Sequence, residues 1–120
     1  MRAIRLPLAV LAGVALAAGC GGGTPLHEPR RFTLTLDDFL IRPQSVQVPA
    51  GRLRLTVVNR GRVVHNLRIE RGHHVVFTVL TLKPGARARR SLRLKPGRYR
   101  MLDSVPQHAI LGQYGTLVAR

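Results

Sequence analysis

Apolar residues recur at every second position in several stretches after Arg31, and that alternation limits what the chain can become. Phe32, Leu34 and Leu36 alternate with Arg31, Thr33 and Thr35. Leu53, Leu55 and Val57 alternate with Arg52, Arg54 and Thr56, and Leu92 and Leu94 with Ser91 and Arg93. A side-chain period of two puts each set on one face of a strand, half in a core and half in water. Turn signals punctuate these runs: P-A-G at Pro49, R-G-R at Gly61, R-G-H at Gly72, and K-P-G at Pro84 and Pro96, at intervals of 12, 11, 12 and 12 residues. Short strands at such spacing, with no helical stripe, predict an all-β sandwich or barrel. The repeated L-K-P-G at Leu82 and Leu94 reads as turn chemistry and not as duplication, because Pro-Gly suits a type II turn and the flanking residues differ.

The first thirty residues follow different rules. Arg2 and Arg5 supply a basic start, and Leu6 to Ala18 is an apolar run of 13 residues, long enough for a secretion signal and too short to span a bilayer. Leu16 to Cys20, L-A-A-G-C, resembles the bacterial lipobox, in which the Cys is acylated and becomes the first residue of the mature protein. The expected organisation is a lipoprotein-type signal peptide over 1–19, acylated Cys20 and a flexible tether over 20–30, and one domain over 31–120. Gly21, Gly22 and Gly23 suit such a tether. This implies an extracytoplasmic domain held to a membrane through lipid on Cys20. As the sole cysteine, Cys20 leaves the domain without a disulfide or a thiol.

Charge narrows the function classes. The formal net charge is +15, carried by 20 basic and 5 acidic residues, which attracts the chain to an anionic protein or lipid surface. Nucleic acid is not an expected partner, because only 4% of residues are aromatic and no nucleic-acid module is recognisable. Catalysis fails on inventory. The carboxylates Glu28, Asp37, Asp38, Glu70 and Asp103 form no recognisable acid/base pair, and Ser45, Ser91 and Ser104 lack a nucleophile-elbow context. No phosphate-cradling glycine loop precedes a helix, so the chain is read as a non-enzyme.

The stretch Pro96 to Val118 carries the most specific signal. Tyr99, Met101, Asp103, Pro106, His108, Gly112, Gln113 and Gly115 keep the spacing of the C-terminal metal loop of the cupredoxins, Y-x-[FYM]-x-C-x-x-P-G-H-x-x-x-G-[MQ]-x-G. Upstream, Asn59 and R-G-R-V-V-H-N-L-R-I at Arg60 to Ile69 resemble the family's N-x-G-x-x-x-H-N around its first copper histidine. The stretch from Phe39 to Gly51 resembles the segment leading into a family strand. Together with the alternation and the turn spacing, the resemblance implies an antiparallel Greek-key β-sandwich with a metal site at one end, made by His65, His108 and Gln113, with Asp103 where the family has its thiolate. It also implies that Asn66 ties to Ser104, and it puts Gln107 where the family often has Gly.

Residue parity points the same way. His65 shares a strand face with Leu67 and Ile69, and Asp103 with Tyr99 and Met101, so both polar side chains face inward. A buried carboxylate needs a metal, an Arg or a cluster of donors. The expected ion is copper, Cu(II), since two imidazoles and a carboxylate favour it over zinc. Without the thiolate, the intense charge-transfer colour and fast electron transfer of the family are not expected. The alternative is a metal-free domain of the same fold that binds an anionic partner, with Asp103 paired to an Arg. His73 and His74 follow a turn glycine and point to opposite faces, so they read as solvated, and His27 lies in the tether.

Overall fold

The computed structural model describes residues 30–120. The leader, Cys20, His27 and the tether therefore lie outside the described residues. Nine strands follow one another: β1 Arg31–Asp37, β2 Leu40–Arg42, β3 Ser45–Val48, β4 Gly51–Asn59, β5 His65–Arg71, β6 His74–Leu82, β7 Arg87–Leu94, β8 Gly97–Leu102 and β9 Tyr114–Ala119. The alternating runs at Phe32, Leu53 and Leu92 became β1, β4 and β7, as their period of two dictates. Gly72 and Gly85 turn the chain at φ 59° and 78°, values that only glycine takes without strain.

Two sheets form the sandwich, one ordered β2-β1-β4-β7 and the other β3-β9-β8-β5-β6. They are mixed. β1 runs parallel to β4 from Arg31↔Arg54 to Leu36↔Asn59, and β3 runs parallel to β9. These two parallel pairs correct the expectation of an antiparallel sandwich. A period of two does not distinguish the two directions, because both present the same alternation to a core.

Between the sheets, Leu34, Leu36, Leu53, Leu55, Val57 and Leu92 of the first face Leu67, Ile69, Tyr99, Met101 and Leu117 of the second, all 7% exposed or less. Each such side chain contributes about 1.5–3 kcal/mol when fully buried. The consequence for function lies at one pole. There β1 and β4 end, β5 begins, and the loop between β8 and β9 returns across them.

Candidate metal centre

His65 opens β5 and Asp103 follows the last residue of β8, strands that pair through Arg68↔Leu102. Both side chains are fully buried, as the parity of their strands requires, and the β8–β9 loop brings His108 to them with 13% of its side chain exposed. Nδ1 of His65 lies 2.7 Å and Nδ1 of His108 2.8 Å from the same oxygen, Oδ2 of Asp103. The three candidate ligand atoms fall within 4.8 Å of one another, and this is the one such His/Asp group among the described residues. His73 and His74 are exposed and take no part.

The other carboxylate oxygen is occupied by backbone donors. Oδ1 of Asp103 accepts from the amides of Asn66 at 3.3 Å and Val105 at 2.9 Å. Asn66 in turn accepts, through Oδ1, the amide of Ser104 at 2.6 Å and its hydroxyl at 3.0 Å. The expected contact between Asn66 and Ser104 joins the segments that carry His65 and Asp103. The loop closes through Asp103 N–H to Gln113 O and Gln113 N–H to His108 O, both 3.0 Å. Within it Gln107 adopts φ 71°, the left-handed conformation for which glycine is suited. Among the described residues no Arg is bonded to Asp103, whose side-chain partners are the two imidazoles.

One segment was missed in the sequence. The turn between β1 and β2 lies over the site and grips it at three points. Nε2–H of His65 donates to Oδ1 of Asp38 at 2.8 Å. The Phe39 ring meets His108 edge-on, with centroids 4.9 Å apart. The Gln113 amide donates to the carbonyls of Asp37 at 2.9 Å and Leu40 at 3.3 Å. Oδ2 of Asp38 accepts the Arg62 amide at 2.8 Å. That backbone bond, then the bond from His65, hold the Asp38 carboxyl below its ordinary value. A Cβ at Gly61 would strike Asp38 Oδ1 and come within 2.7 Å of His65 Nε2, so this approach requires glycine. The available signal was compositional: two of five carboxylates stand side by side, before an aromatic residue.

The donor set can be tested for a cation on these contacts alone. An ionised Asp38 only accepts, which assigns the proton of neutral His65 to Nε2 and leaves the Nδ1 lone pair facing Asp103. Oδ2 of Asp103 then faces the Nδ1 lone pair of His65 at 2.7 Å, a contact that repels unless a proton or a cation lies between them. Gln113 is fully buried, and with its side-chain nitrogen spent on two carbonyls its Oε1 has no partner among the described residues. The orphaned oxygen belongs to the residue whose backbone bonds those of Asp103 and His108, and such an atom, with two imidazoles meeting on one carboxylate, fits a metal ion.

The profile of the cupredoxin-like domain family matches residues 8–119. No curated protein matches the sequence. Among solved structures, the chain is similar to a dithionite-reduced auracyanin of the photosynthetic bacterium Roseiflexus castenholzii, with a TM-score of 0.70 and 16% identity over 76% of this chain and 97% of that one. It is also similar to an azurin of the methylotroph Methylomonas sp. strain J, at TM-score 0.65 and 15% identity over 75% and 97%. Auracyanin A, a blue copper protein of Chloroflexus aurantiacus, gives TM-score 0.65 and 15% identity over 75% and 99%. At such identities the likeness is one of fold, and the family match covers nearly the whole sequence. The chain belongs to the cupredoxin-like domain family.

Proposed function

We propose that this chain is a non-catalytic, extracytoplasmic, lipid-anchored domain that binds Cu(II) through His65, Asp103 and His108, with Gln113 as a weaker fourth ligand. The observation that carries the reading is the meeting of two imidazole Nδ1 atoms on one buried carboxylate oxygen, 2.7 and 2.8 Å away. The partnerless Oε1 of Gln113 supports it. Copper would supply a positive charge that the two imidazole lone pairs and the carboxylate share.

Each residue has a part in holding that charge. Asp103 brings the negative charge and is itself held by the Asn66 and Val105 amides. Asp38 orients His65 from behind, the arrangement in which a carboxylate fixes the tautomer and raises the basicity of a ligating imidazole. Phe39 and the β1–β2 turn keep water from the buried side. Asp103 stands where the family carries a thiolate. A hard carboxylate favours the oxidised ion over a soft, covalent, rapidly cycling site, so electron transfer is not the proposed task.

Elemental analysis of the purified full chain after exposure to equimolar copper and zinc tests the reading, with copper retained in preference. Calorimetry follows: losing His65 or His108 weakens binding by at least ~10-fold, since second-shell losses alone cost 10–100-fold. If the His65→Ala, His108→Ala double variant binds Cu(II) as tightly as the wild type, the site holds no metal. The chain is then the metal-free domain with an anionic partner.

A further inference from the structure

We infer that the outer face of the β2-β1-β4-β7 sheet is a docking surface for an anionic phospholipid bilayer. Along β4 and β7, Arg52, Arg54, Arg87, Arg89 and Arg93 are all exposed. Register brings like charges together: Arg52 stands directly opposite Arg93, and Arg54 opposite Ser91. Cross-strand pairs of one sign are destabilising, so this arrangement works against the sheet. Little compensates it. The carboxylate that shares this face, Asp37, is held by Arg42 at 2.7 Å. Among the described residues, none of these five arginines has a carboxylate within ion-pair distance.

A shallow groove of about 660 Å³ crosses the middle of the face; Arg54, Arg89, Arg90 and the hydroxyls of Thr33, Thr56 and Ser91 are among its lining, over the apolar Phe32 and Leu55. Arg90 sits between buried Ala88 and Leu92 on the inward parity of an edge strand, yet it is exposed and joins the groove. Guanidinium forks beside hydroxyls are the chemistry that holds a phosphate oxygen. None of the exposed large apolar side chains belongs to β1, β4 or β7. A protein partner would want an apolar, charge-poor centre. A laterally mobile carpet of phosphodiesters asks only for spread positive charge, and this face offers that along the length of its strands.

The chain enters the domain at the start of β1, in the same sheet. Arg30 donates to the carbonyls of Ala50 at 3.1 Å and Arg52 at 3.3 Å, and the Arg54 amide bonds Arg30 O at 2.8 Å. Arg30 lies ten steps along the chain from Cys20, which can span at most ~35 Å. A lipid there would keep the face within reach of headgroups. The inference is independent of the metal and does not require the acyl chain.

The test is partition of the full-length chain onto vesicles of phosphatidylcholine, with and without phosphatidylglycerol. Two triple variants of equal charge are compared: Arg54→Gln, Arg89→Gln, Arg93→Gln on the face, and Arg60→Gln, Arg98→Gln, Arg100→Gln away from it. All share one N-terminal segment, so its contribution cancels, and circular dichroism verifies that each is folded. At about fivefold per basic residue at such a surface, the face triple loses ~100-fold of its phosphatidylglycerol-dependent binding. The control triple loses far less, and the corresponding lysine triple on the face retains binding. Equal losses in both glutamine triples would reduce the effect to net charge and overturn the inference. So would tighter binding to a DNA duplex than to the anionic vesicles at the same salt.

Discussion

Nε2 of His65 lies 2.8 Å from Oδ1 of Asp38, twenty-seven residues earlier in the chain, and this contact fixes the ring whose other nitrogen faces Asp103. Asp38 reaches it from the β1–β2 turn because β1 and β4 run parallel and end together at Leu36↔Asn59.

Replacing Asp38 by Ala is therefore expected to lower Cu(II) affinity by roughly 10–100-fold without touching a ligand, measurable by competition with a chelator. Asp38→Asn should lose less, because its amide oxygen can still accept from Nε2. Gly61→Ala should reproduce the loss by pushing Asp38 and His65 apart.

The same carboxyl has a pH signature. Its folded value lies below the ordinary 3.8. The stability it contributes is thus complete above the unfolded value and disappears as pH falls through the lower, folded one. Acid unfolding of Asp38→Asn compared with wild type should show a stability gap at neutral pH that closes below about pH 4.

Asp103→Cys should turn a pale copper site intensely coloured, since it adds the thiolate between two imidazoles that already converge. The cost is structural. Sulfur accepts poorly, so the amides of Asn66 and Val105 lose their partner, and chemical denaturation should register a loss of about 1–3 kcal/mol. Absorption spectra that stay pale on Cu(II) addition would show that the histidines do not converge on one ion.

Gln107→Gly should stabilise the loop. The left-handed φ of 71° costs a side chain on the order of 1–3 kcal/mol, and the added freedom of glycine in the unfolded chain returns part of that. A net gain of about 1 kcal/mol, read as a higher urea midpoint at unchanged slope, is the expected result.

Arg93→Thr removes one half of the Arg52↔Arg93 pair. Melting at low salt should rise by an amount equivalent to about 0.2–1 kcal/mol, and the gain should shrink as salt screens the pair.

Local chemistry alone determined β1, β4 and β7, their buried faces and several turns. Alternation at Leu34, Leu55 and Leu92 needs no tertiary context, because only one strand face can hold three apolar side chains. The candidate ligands came from the cupredoxin resemblance, which local chemistry only supports. His65 and Asp103 fall on inward parities, and the Asp103, His108, Gln113 spacing belongs to one continuous loop. What the sequence could not determine is which segments meet across long separations. Strand direction leaves no mark on a two-residue period, so the parallel pairing of β1 with β4 had to come from the assembled core. Asp38 depends on that pairing. It carries no motif, and only when both strands end at the same pole does its carboxylate reach the back of His65. The arginine face is of the same kind: every residue is visible in the sequence, but register alone sets Arg52 opposite Arg93, where like charges accumulate on a single surface.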